Sequence, residues 1–484
     1  MATGCPTTSA SFFGPYFSTQ SSDIGETCPH DFNRFERRRN KRSAIICGRS
    51  TGDGGNLRLA VIGDFHLGAK WGTPRKNDSF EQAKEAIEKA IEQGAQLILV
   101  LGDVFDERIP RQPEIWANAL NIFSIPSLSS DGKLKLNRTI DKPQDEISPA
   151  ALRGIPVVAL HGNHERRTRG FTNPVEALES AGLLIHLHNN TVIFDTPKGK
   201  LAVHGMSNVS EQHARAVLKT WGPKPAEGAF NIFALHQSVG QFVYSDEESS
   251  MLDLPDLPPG FDLYICGHIH YKVESSAHGK PFLIPGSTER TQLLLQESQI
   301  PKGFYMVEWG DGVKFWFVEL ETPRDFFYEE MRFSETSIPD LNKAVRAKVE
   351  ELLKRFRKNP RKLPLVRLRL KGTLAKEASR ADIDEHSIIQ EFSDRVLLAI
   401  SKRDLAVSGF EEKLEALREF REKKMSIDEQ AMSLLEDFLK DAEHVKILDV
   451  RELYELLLDD RVDEALERIE RLVEGQTSAE VGGK

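Results

Sequence analysis

The chain has 484 residues, 39% of them hydrophobic and 29% charged, which is enough for several domains with a large core and excludes a small scaffold held together by disulfides. It has 64 Lys and Arg and 74 Asp and Glu, and the resulting net charge of −10 excludes a general electrostatic attraction to nucleic acid. Any surface that binds nucleic acid must therefore be local. No stretch of about eighteen apolar residues is present, which excludes a membrane-spanning helix.

Residues 1–55 are rich in Ser, Thr, Gly and Phe and carry a basic run at Arg37–Arg42, without any sustained periodicity. We interpret this segment as a disordered extension, and its basic run fits a solvated tail better than a nucleic-acid arm or a targeting signal. It has no secretory signal pattern, and the four cysteines of the chain form no CxxC pair. Both features favour a cytoplasmic protein.

From Leu57 onward, short apolar and β-branched runs alternate with helical patterns such as Phe80–Gln93 and Pro174–Ala181. The runs predict buried strands, so the chain should fold as a layered α/β or α+β domain. The polar, Pro-rich stretch 127–149 is typical of a surface insertion without an element of its own. The apolar runs are LRLAVIGDFHLG, QLILVLGD, IPVVALHGNH, GKLAVHG, FNIFALHQ and FDLYICGHIH.

Beyond a further predicted strand at 313–321, the pattern changes to a second region. An amphipathic helix is predicted at 338–357, and a strand at 363–371 puts apolar and basic residues on opposite faces. From about Ser379 the sequence reads as charged and helical, with a capping-box start at 426–429. Residues 450–473 predict a helical hairpin, whose apolar seam either binds a partner or packs on its own domain.

Most of the apolar runs end in side chains that bind metals. Mixed imidazole and carboxylate ligands suit manganese, iron or zinc better than calcium, and residues at the ends of aligned strands meet at one edge of a sheet. A single such motif would be weak, but the set predicts a dinuclear metal site. The motifs are Asp64-x-His66, Gly102-Asp103-x-x-Asp106, Gly162-Asn163-His164-Glu165, His204-Gly205, His236 and Gly267-His268-x-His270.

In this order the motifs resemble the calcineurin-like metallophosphoesterase superfamily. Within it, IPGSTER at 284–290, KGF at 302–304, VE at 307–308 and NHERRTRG at 163–170 resemble the SbcD-like nuclease subunits of double-strand-break repair complexes, especially the archaeal ones. The resemblance covers roughly residues 57–371. It implies a four-layer β-sandwich flanked by helices, with a small α/β capping domain and a helical C-terminal region.

The resemblance implies two Mn²⁺ per chain and a role for each motif residue. One ion would be held by Asp64, His66 and His270, the other by Asn163, His236 and His268, and Asp103 would bridge both. A hydroxide between the two ions would then attack the DNA phosphodiester. His164 would stabilise charge or protonate the leaving oxygen, although a role in orienting its neighbours is an alternative.

Asp106 stands where many SbcD-like relatives have a second histidine that helps to position the DNA phosphate. An exonuclease activity would therefore lack that positioning histidine, whereas all seven expected metal ligands are present. Two roles remain open for Asp106: it can support a histidine ligand, or it can cap a helix. For His204, a role in supporting the site and a role in the core remain equally open, and the same holds for His161.

Between Glu351 and Glu377 there are ten Lys or Arg and no acidic residue, which predicts a local positive patch that binds a duplex backbone with strong salt dependence. A solvated helix end is the alternative. We expect DNA contacts from this patch and from basic residues in the motif loops. The expected contact residues are Arg166, Arg167, Arg169, Arg290, Arg367, Arg369 and Lys371.

These expectations together describe a cytoplasmic, nucleoid-associated, manganese-dependent DNA nuclease. By resemblance it would be a 3′-to-5′ exonuclease on duplex ends and an endonuclease on single strands, working as a homodimer with an SbcC-like ABC ATPase. A phosphoesterase for non-DNA substrates and a DNA-end-binding scaffold with weak activity are the alternatives. The expected parts are an extension (1–55), a nuclease domain (56–322), a capping domain (323–378), a charged helical linker (379–445), a hairpin for the ATPase (446–475) and a disordered tail (476–484).

Overall fold

The computed structural model describes residues 56–129, 134–166, 170–243, 252–355, 357–376 and 378–407. The predicted extension (1–55), the predicted hairpin and tail, and most of the predicted charged linker lie outside the described residues. Arg167 and Arg169 lie outside them as well.

The predicted apolar runs form strands, and the two helical patterns between them form helices with bounds within two residues of the prediction. The helices are α1 (Asp78–Glu92), α2 (Pro113–Ser124), α3 (Pro174–Ser180), α4 (Glu211–Trp221), α5 (Leu295–Gln299), α6 (Ile338–Leu353) and α7 (Glu385–Glu391). The strands are β1 (Leu57–Ile62), β2 (Leu97–Val100), β3 (Lys135–Ile140), β4 (Val157–Ala159), β5 (Ile185–His186), β6 (Asn190–Thr196), β7 (Gly199–Met206), β8 (Ala229–His236), β9 (Leu263–Gly267), β10 (Val273–Ala277), β11 (Lys280–Ile284), β12 (Gly303–Trp309), β13 (Val313–Glu319), β14 (Phe326–Thr336), β15 (Leu365–Leu374) and β16 (Leu397–Val407).

Two large sheets pack face to face. The first has the strand order β13-β12-β1-β2-β4-β5, with β1, β2, β4 and β5 parallel, and the second has the order β10-β11-β9-β8-β7-β6-β3, with β7, β8 and β9 parallel. Apolar side chains of both sheets, such as Leu59 and Val203, share one buried core. The central strands of the two sheets end near one another, since the carbonyl oxygen of Leu101, just after β2, contacts Nδ1 of His236 at the end of β8.

Helices cover the outer face of each sheet. Side chains of α1, α2 and α3, among them Ile87 and Leu178, pack on the first sheet, and α4 packs on the second through Leu218. This α-β-β-α layering confirms the predicted four-layer sandwich, and it buries the central strands on both faces, which is why their sequences are almost wholly apolar. Within the described residues, none of the helices is long and apolar enough to span a membrane.

A third sheet, β14-β15-β16, is parallel throughout, and with α6 and α7 it forms the region that we call the cap (residues 326–407). Val366, Leu368 and Leu370 point toward α6 and are fully buried, while the intervening basic residues of β15 are partly exposed. The predicted two-faced strand is therefore confirmed. The boundaries predicted for the capping domain and the linker stay a proposal.

Two sequence predictions were wrong. The region after Ser379 contains α7 but also the strand β16, which completes the cap sheet by pairing with β15 over its whole length. The stretch 127–149 contains the edge strand β3, which pairs with β6. The edge strand β3 is mostly polar, as strands with one side open to solvent often are, so its local pattern gave no strand signal. The edge strand β16 is mostly apolar, but the charged run Lys402–Asp404 interrupts its apolar pattern.

Candidate metal centre

The loops that follow β1 and β2 are joined by backbone hydrogen bonds directly at the site. The amide of His66 donates to the carbonyl oxygen of Asp103 over 2.8 Å, and the amide of Leu67 donates to that of Val104 over 2.8 Å. These bonds place two motifs that are about 40 residues apart in sequence side by side. Asp64, His66 and Asp103 are all buried there.

The backbone is strained at three of the predicted ligands. His66, Asp103 and His268 have positive φ values of 49°, 44° and 81°, which side chains with a Cβ rarely adopt. Such strain is typical of functional sites, where the surrounding structure holds an unfavourable conformation in place. At Gly162, a Cβ would overlap the carboxylate of Asp103, so only glycine lets the third motif loop approach this closely.

The structure brings all seven predicted ligands together in two groups that share Asp103. Ligand atoms of His66, Asp103 and His270 lie within 4.8 Å of one another, and so do those of Asp103, His236 and His268. Asp64 lies beside the first group, with its Oδ2 4.0 Å from Nε2 of His270.

Asn163 lies in the second group. Its Oδ1 is 3.0 Å from Nδ1 of His268 and 3.3 Å from Nε2 of His236. The amide oxygen and the two ring nitrogens therefore face a common point, as ligands of one cation would.

The imidazoles are oriented as metal ligands. Nε2 of His66 and Nε2 of His270 lie 3.1 Å apart in buried surroundings, close to the ~3 Å that separates two ligands at right angles around one ion with bonds of ~2.1 Å. The opposite nitrogen of each of three rings has a partner: Nδ1 of His66 faces the Asp106 carboxylate at 3.1 Å, Nδ1 of His236 donates to the Leu101 carbonyl at 2.6 Å, and Nδ1 of His270 contacts the Thr291 hydroxyl at 2.6 Å. In a neutral ring whose proton is on Nδ1, the lone pair that binds a cation is on Nε2.

The electrostatics of the site also fit a pair of divalent cations. Burial raises the pKa of Asp64, whose Oδ2 has no hydrogen-bond partner among the described residues. Although burial opposes protonation, Asp103 and Asp64 raise the pKa of His236 to about 9. A buried set of carboxylates and imidazoles that compete for protons is stabilised when cations replace those protons.

Glu165 fastens two of the motif loops to each other. Its two carboxylate oxygens accept hydrogen bonds from the amides of Phe105 and Gly162, both at 2.7 Å. Burial, and next the charge of Asp103, raise the pKa of Glu165 to about 8. The sequence offered Glu165 only as part of a motif, and its role in holding the Asp103 and Asn163 loops together was not predicted.

His164 lies at the edge of the site and is partly open to solvent, with 31% of its side chain exposed. Its ring stands edge-on to His66 at 4.8 Å between centroids, and its Nδ1 donates to the carbonyl oxygen of Asp106 at 2.6 Å. Its main-chain amide donates to Oδ1 of Asp103. The Nε2 atom is then the one available to a bound substrate.

The structure places His204 and His161 outside the ligand groups. His204 contacts Thr191 at 2.8 Å, Asn231 at 3.1 Å and the ring of Phe261, and burial lowers its pKa to about 4. His161 contacts His186 through its Nδ1 at 2.9 Å. For His204 these contacts favour the core role that the sequence had left open.

The basic residues expected to bind DNA have varied surroundings. Arg166 donates to Asn208 at 3.2 Å, and Asn208 in turn donates to the carbonyl oxygen of His236. The guanidinium of Arg290 donates to the carbonyl oxygens of Glu297 and Arg324 and is directed into the protein, and its expected contact with DNA stays a prediction.

Half of the basic residues in the positive patch are paired with carboxylates. Of its ten basic residues, five form ion pairs within the described part of the chain. Local sequence could not reveal this, because the carboxylates come from other elements. The pairs are Arg355–Glu329, Lys358–Glu319, Lys362–Glu81, Arg369–Asp404 and Lys371–Glu330.

Comparisons with known proteins agree with this geometry. Residues 57–272 match the family model described as calcineurin-like phosphoesterase. The DNA double-strand break repair protein Mre11 of Methanopyrus kandleri is 26% identical over 298 residues, which are 57% of this chain and 59% of that protein.

Two further relatives carry similar descriptions. The double-strand break repair protein mre-11 of Caenorhabditis elegans is 24% identical over 371 residues, 65% of this chain and 50% of that protein. The Mre11 protein of Archaeoglobus fulgidus is 26% identical over 318 residues, 59% of this chain and 64% of that protein. The chain thus matches less than two thirds of the length of each of these three relatives.

Proposed function

We propose that the calcineurin-like phosphoesterase domain, which the chain carries at residues 57–272, is the catalytic part of a manganese-dependent DNA nuclease that processes double-strand-break ends. The observation that carries the proposal is the position of Asp103, which is shared by two groups of buried ligands. The names of the three relatives support the choice of DNA as substrate.

In this mechanism the ligand groups would hold two divalent cations, with Asp64, His66 and His270 on one side, Asn163, His236 and His268 on the other, and Asp103 between them. Two such cations neutralise charge at phosphorus and supply a nucleophile at neutral pH. The carboxylate of Glu165 keeps the Asp103 and Asn163 loops at a fixed separation.

His164 acts on the leaving group. Its Nδ1 is engaged by the Asp106 carbonyl, so a protonated ring presents Nε2–H to the departing oxygen. A donor at that position stabilises the charge that develops there or transfers a proton to it. The exposed fraction of the ring lets a polymeric substrate reach it.

We further propose that the cap positions DNA, with Arg166 and the basic face of β15 as contacts, and that residues 446–475 bind an SbcC-like ABC ATPase. A homodimer would form through helices of the phosphoesterase domain. A surface cavity of about 540 Å³ between α1 and α2, together with Leu120 of α2, whose side chain is 41% exposed, supports that choice of surface. A cytoplasmic, nucleoid-associated location is part of the same proposal.

One observation favours a second function, that of a phosphoesterase for substrates other than DNA. Arg369 and Lys371, which were expected to bind phosphates, are already paired with Asp404 and Glu330 on the cap sheet. These carboxylates lower the positive potential that a DNA backbone requires.

The deciding experiment is cleavage of end-labelled linear duplex by the purified chain with Mn²⁺, Mg²⁺ or a chelator, with Asp103→Ala protein as the contamination control. Manganese-dependent shortening that is absent from the variant supports the nuclease, and the labelled end that is shortened gives the polarity. Hydrolysis of a chromogenic phosphodiester without DNA cleavage, even with the ATPase added, would favour the second function. Retained DNA binding with negligible turnover of either substrate would indicate an end-binding scaffold.

A further inference from the structure

The ligand candidate His270 is held at two points by one short segment of the chain. Its ring Nδ1 lies 2.6 Å from the hydroxyl of Thr291, and its main-chain oxygen accepts a hydrogen bond from Nζ of Lys302 at 2.8 Å. Both the ring and the backbone of His270 are therefore fixed by the residues that follow β11. Neither contact was predicted from the sequence.

The hydroxyl of Thr291 decides which nitrogen of His270 can bind a cation. His270 presents Nε2 to the centre, 3.1 Å from Nε2 of His66. A neutral imidazole binds a cation through Nε2 only when Nδ1 carries the proton, and that proton needs an acceptor. The hydroxyl oxygen of Thr291 is placed to be that acceptor.

Lys302 closes this segment into a ring of hydrogen bonds. Besides the His270 carbonyl, its buried ammonium donates to Ser287 at 2.8 Å and to Glu297 at 2.7 Å, so all three protons have acceptors. The other carboxylate oxygen of Glu297 accepts hydrogen bonds from the amides of Gln292, at 3.1 Å, and Leu293, at 2.7 Å. The position of Thr291, next to Gln292, is thereby tied back to the His270 backbone.

The same segment is in contact with the cap. Arg367 of β15 donates to the carbonyl oxygen of Gln292 at 3.4 Å. Arg290 donates to Arg324 and Glu297 and lies 5.9 Å from the ring centroid of Phe326, the first residue of the cap sheet. The segment thus lies between the cap and a metal-ligand candidate.

We infer that Thr291 is a positioning residue that orients His270 as an Nε2 ligand, and that residues 291–297, closed by Lys302, form the clamp that holds this ligand in place. The inference rests on the dinuclear centre of the proposed function. It assigns Thr291 a role in metal affinity at the Asp64, His66 and His270 site, with no contact to substrate.

The test compares Thr291→Val, which keeps the shape but removes the hydroxyl, with Thr291→Ser, which keeps the hydroxyl. Mn²⁺ binding to the full chain is measured by the electron paramagnetic resonance signal of free Mn²⁺, without any substrate. Loss of such a supporting partner weakens metal affinity by roughly 10- to 100-fold, so Thr291→Val should weaken one of two sites by this factor while Thr291→Ser stays within about threefold of the parent protein.

Thr322→Val is the matched control, because Thr322 makes an equally short bond, 2.6 Å to Glu85, away from the ligands. It should bind Mn²⁺ as the parent does. Unchanged affinity in Thr291→Val, or equal losses in the Val and Ser variants, would overturn the inference.

Failure of the inference can be told apart from failure of the proposed function. If the parent chain binds two Mn²⁺ but cleaves no DNA, DNA is excluded as the substrate, and the role of Thr291 can still be tested through metal binding. A parent chain that binds no Mn²⁺ overturns both.

Discussion

The carboxylate of Asp106 lies 3.1 Å from Nδ1 of His66, and this pair fixes the orientation of a predicted ligand. Because a carboxylate only accepts hydrogen bonds, Nδ1 of His66 must carry a proton, which directs the Nε2 lone pair toward the centre. Burial opposes protonation of His66, but Asp106, Asp103 and Asp64 together raise its pKa. Asp106 caps no helix, since α2 begins at Pro113 with Gln112 before it.

Replacing Asp106 should therefore weaken metal binding. We expect Asp106→Ala to lower Mn²⁺ affinity by roughly 10- to 100-fold, because His66 loses its orienting acceptor. Asp106→Asn should lose less, since its amide oxygen still accepts a hydrogen bond. Isotherms of Mn²⁺ binding check this, with the exposed neighbour Glu107→Ala as control; equal affinities for Asp106→Ala and Glu107→Ala would refute it.

If the proposed dinuclear centre forms, Asp103→Ala should lose both metals, because the Asp103 carboxylate belongs to both ligand groups. Elemental analysis of the dialysed protein measures metal per chain, and thermal unfolding in a chelator confirms that the variant is folded. Asp311→Asn, at an exposed turn between β12 and β13, provides the control and should retain two metals. Two metals per chain in Asp103→Ala would contradict the assignment of the ligands.

His164→Ser should keep both metals and lose turnover by roughly 10²- to 10⁴-fold, as expected for a group that transfers a proton to the leaving oxygen. The physical reason is that its ring stands beside the ligand groups without belonging to the two that share Asp103. Single-turnover cleavage, combined with metal analysis of the same sample, separates the two properties. A variant with unchanged cleavage would dismiss the role of His164 at the leaving group.

Glu330→Gln should strengthen DNA binding. Glu330 lies 2.7 Å from Lys371 and 3.6 Å from Arg369, so its removal frees the charge of Lys371 on the open face of the cap sheet, while Arg369 keeps its partner Asp404. We expect a several-fold gain in affinity at low salt that disappears as salt rises.

Fluorescence anisotropy with a labelled duplex over a salt series measures that gain. Glu391→Gln is the control, because Glu391 pairs with Arg346 on the helical side of the cap. An equal gain in both variants would show that only the overall charge matters, and no gain in Glu330→Gln would remove this face from the DNA-binding surface.

His204 should make the stability of the fold depend on pH. Burial lowers its pKa from 6.5 to about 4, so the unfolded chain binds a proton in this range that the folded chain does not. Above pH 6.5, His204 is neutral in both states and does not lower the free energy of unfolding. As the pH falls from 6.5 toward 4, that free energy decreases by up to about 3 kcal/mol. His204→Gln, which can bond Thr191 and Asn231 but does not titrate, should flatten this decline.

Urea unfolding of the parent and of His204→Gln between pH 7.5 and about 4.5, in a chelator, measures the difference in the free energy of unfolding. The exposed His213→Gln serves as the control. Parallel pH profiles of the parent and His204→Gln would contradict the prediction.

The sequence by itself determined the layered fold and the members of the candidate centre. Buried strands are apolar along their whole length, so the places where they end in Asp, Asn or His are visible in the sequence, and parallel strands must end at one edge. For that reason the structure brings Asp64, Asp103 and His268 together as expected. The two faces of β15 were equally predictable, because side chains alternate along a strand.

Only the tertiary structure decided the charge of the cap and the support of the ligands. Lys371 and Arg369 belong to a run that is basic in sequence, but strand pairing places Glu330 and Asp404 beside them. Thr291 meets His270 only because the segment after β11 folds back over the site. Pairings between residues that are far apart in sequence depend on strand register and on the paths of loops. Long-range packing sets both, so local periodicity does not predict these pairings.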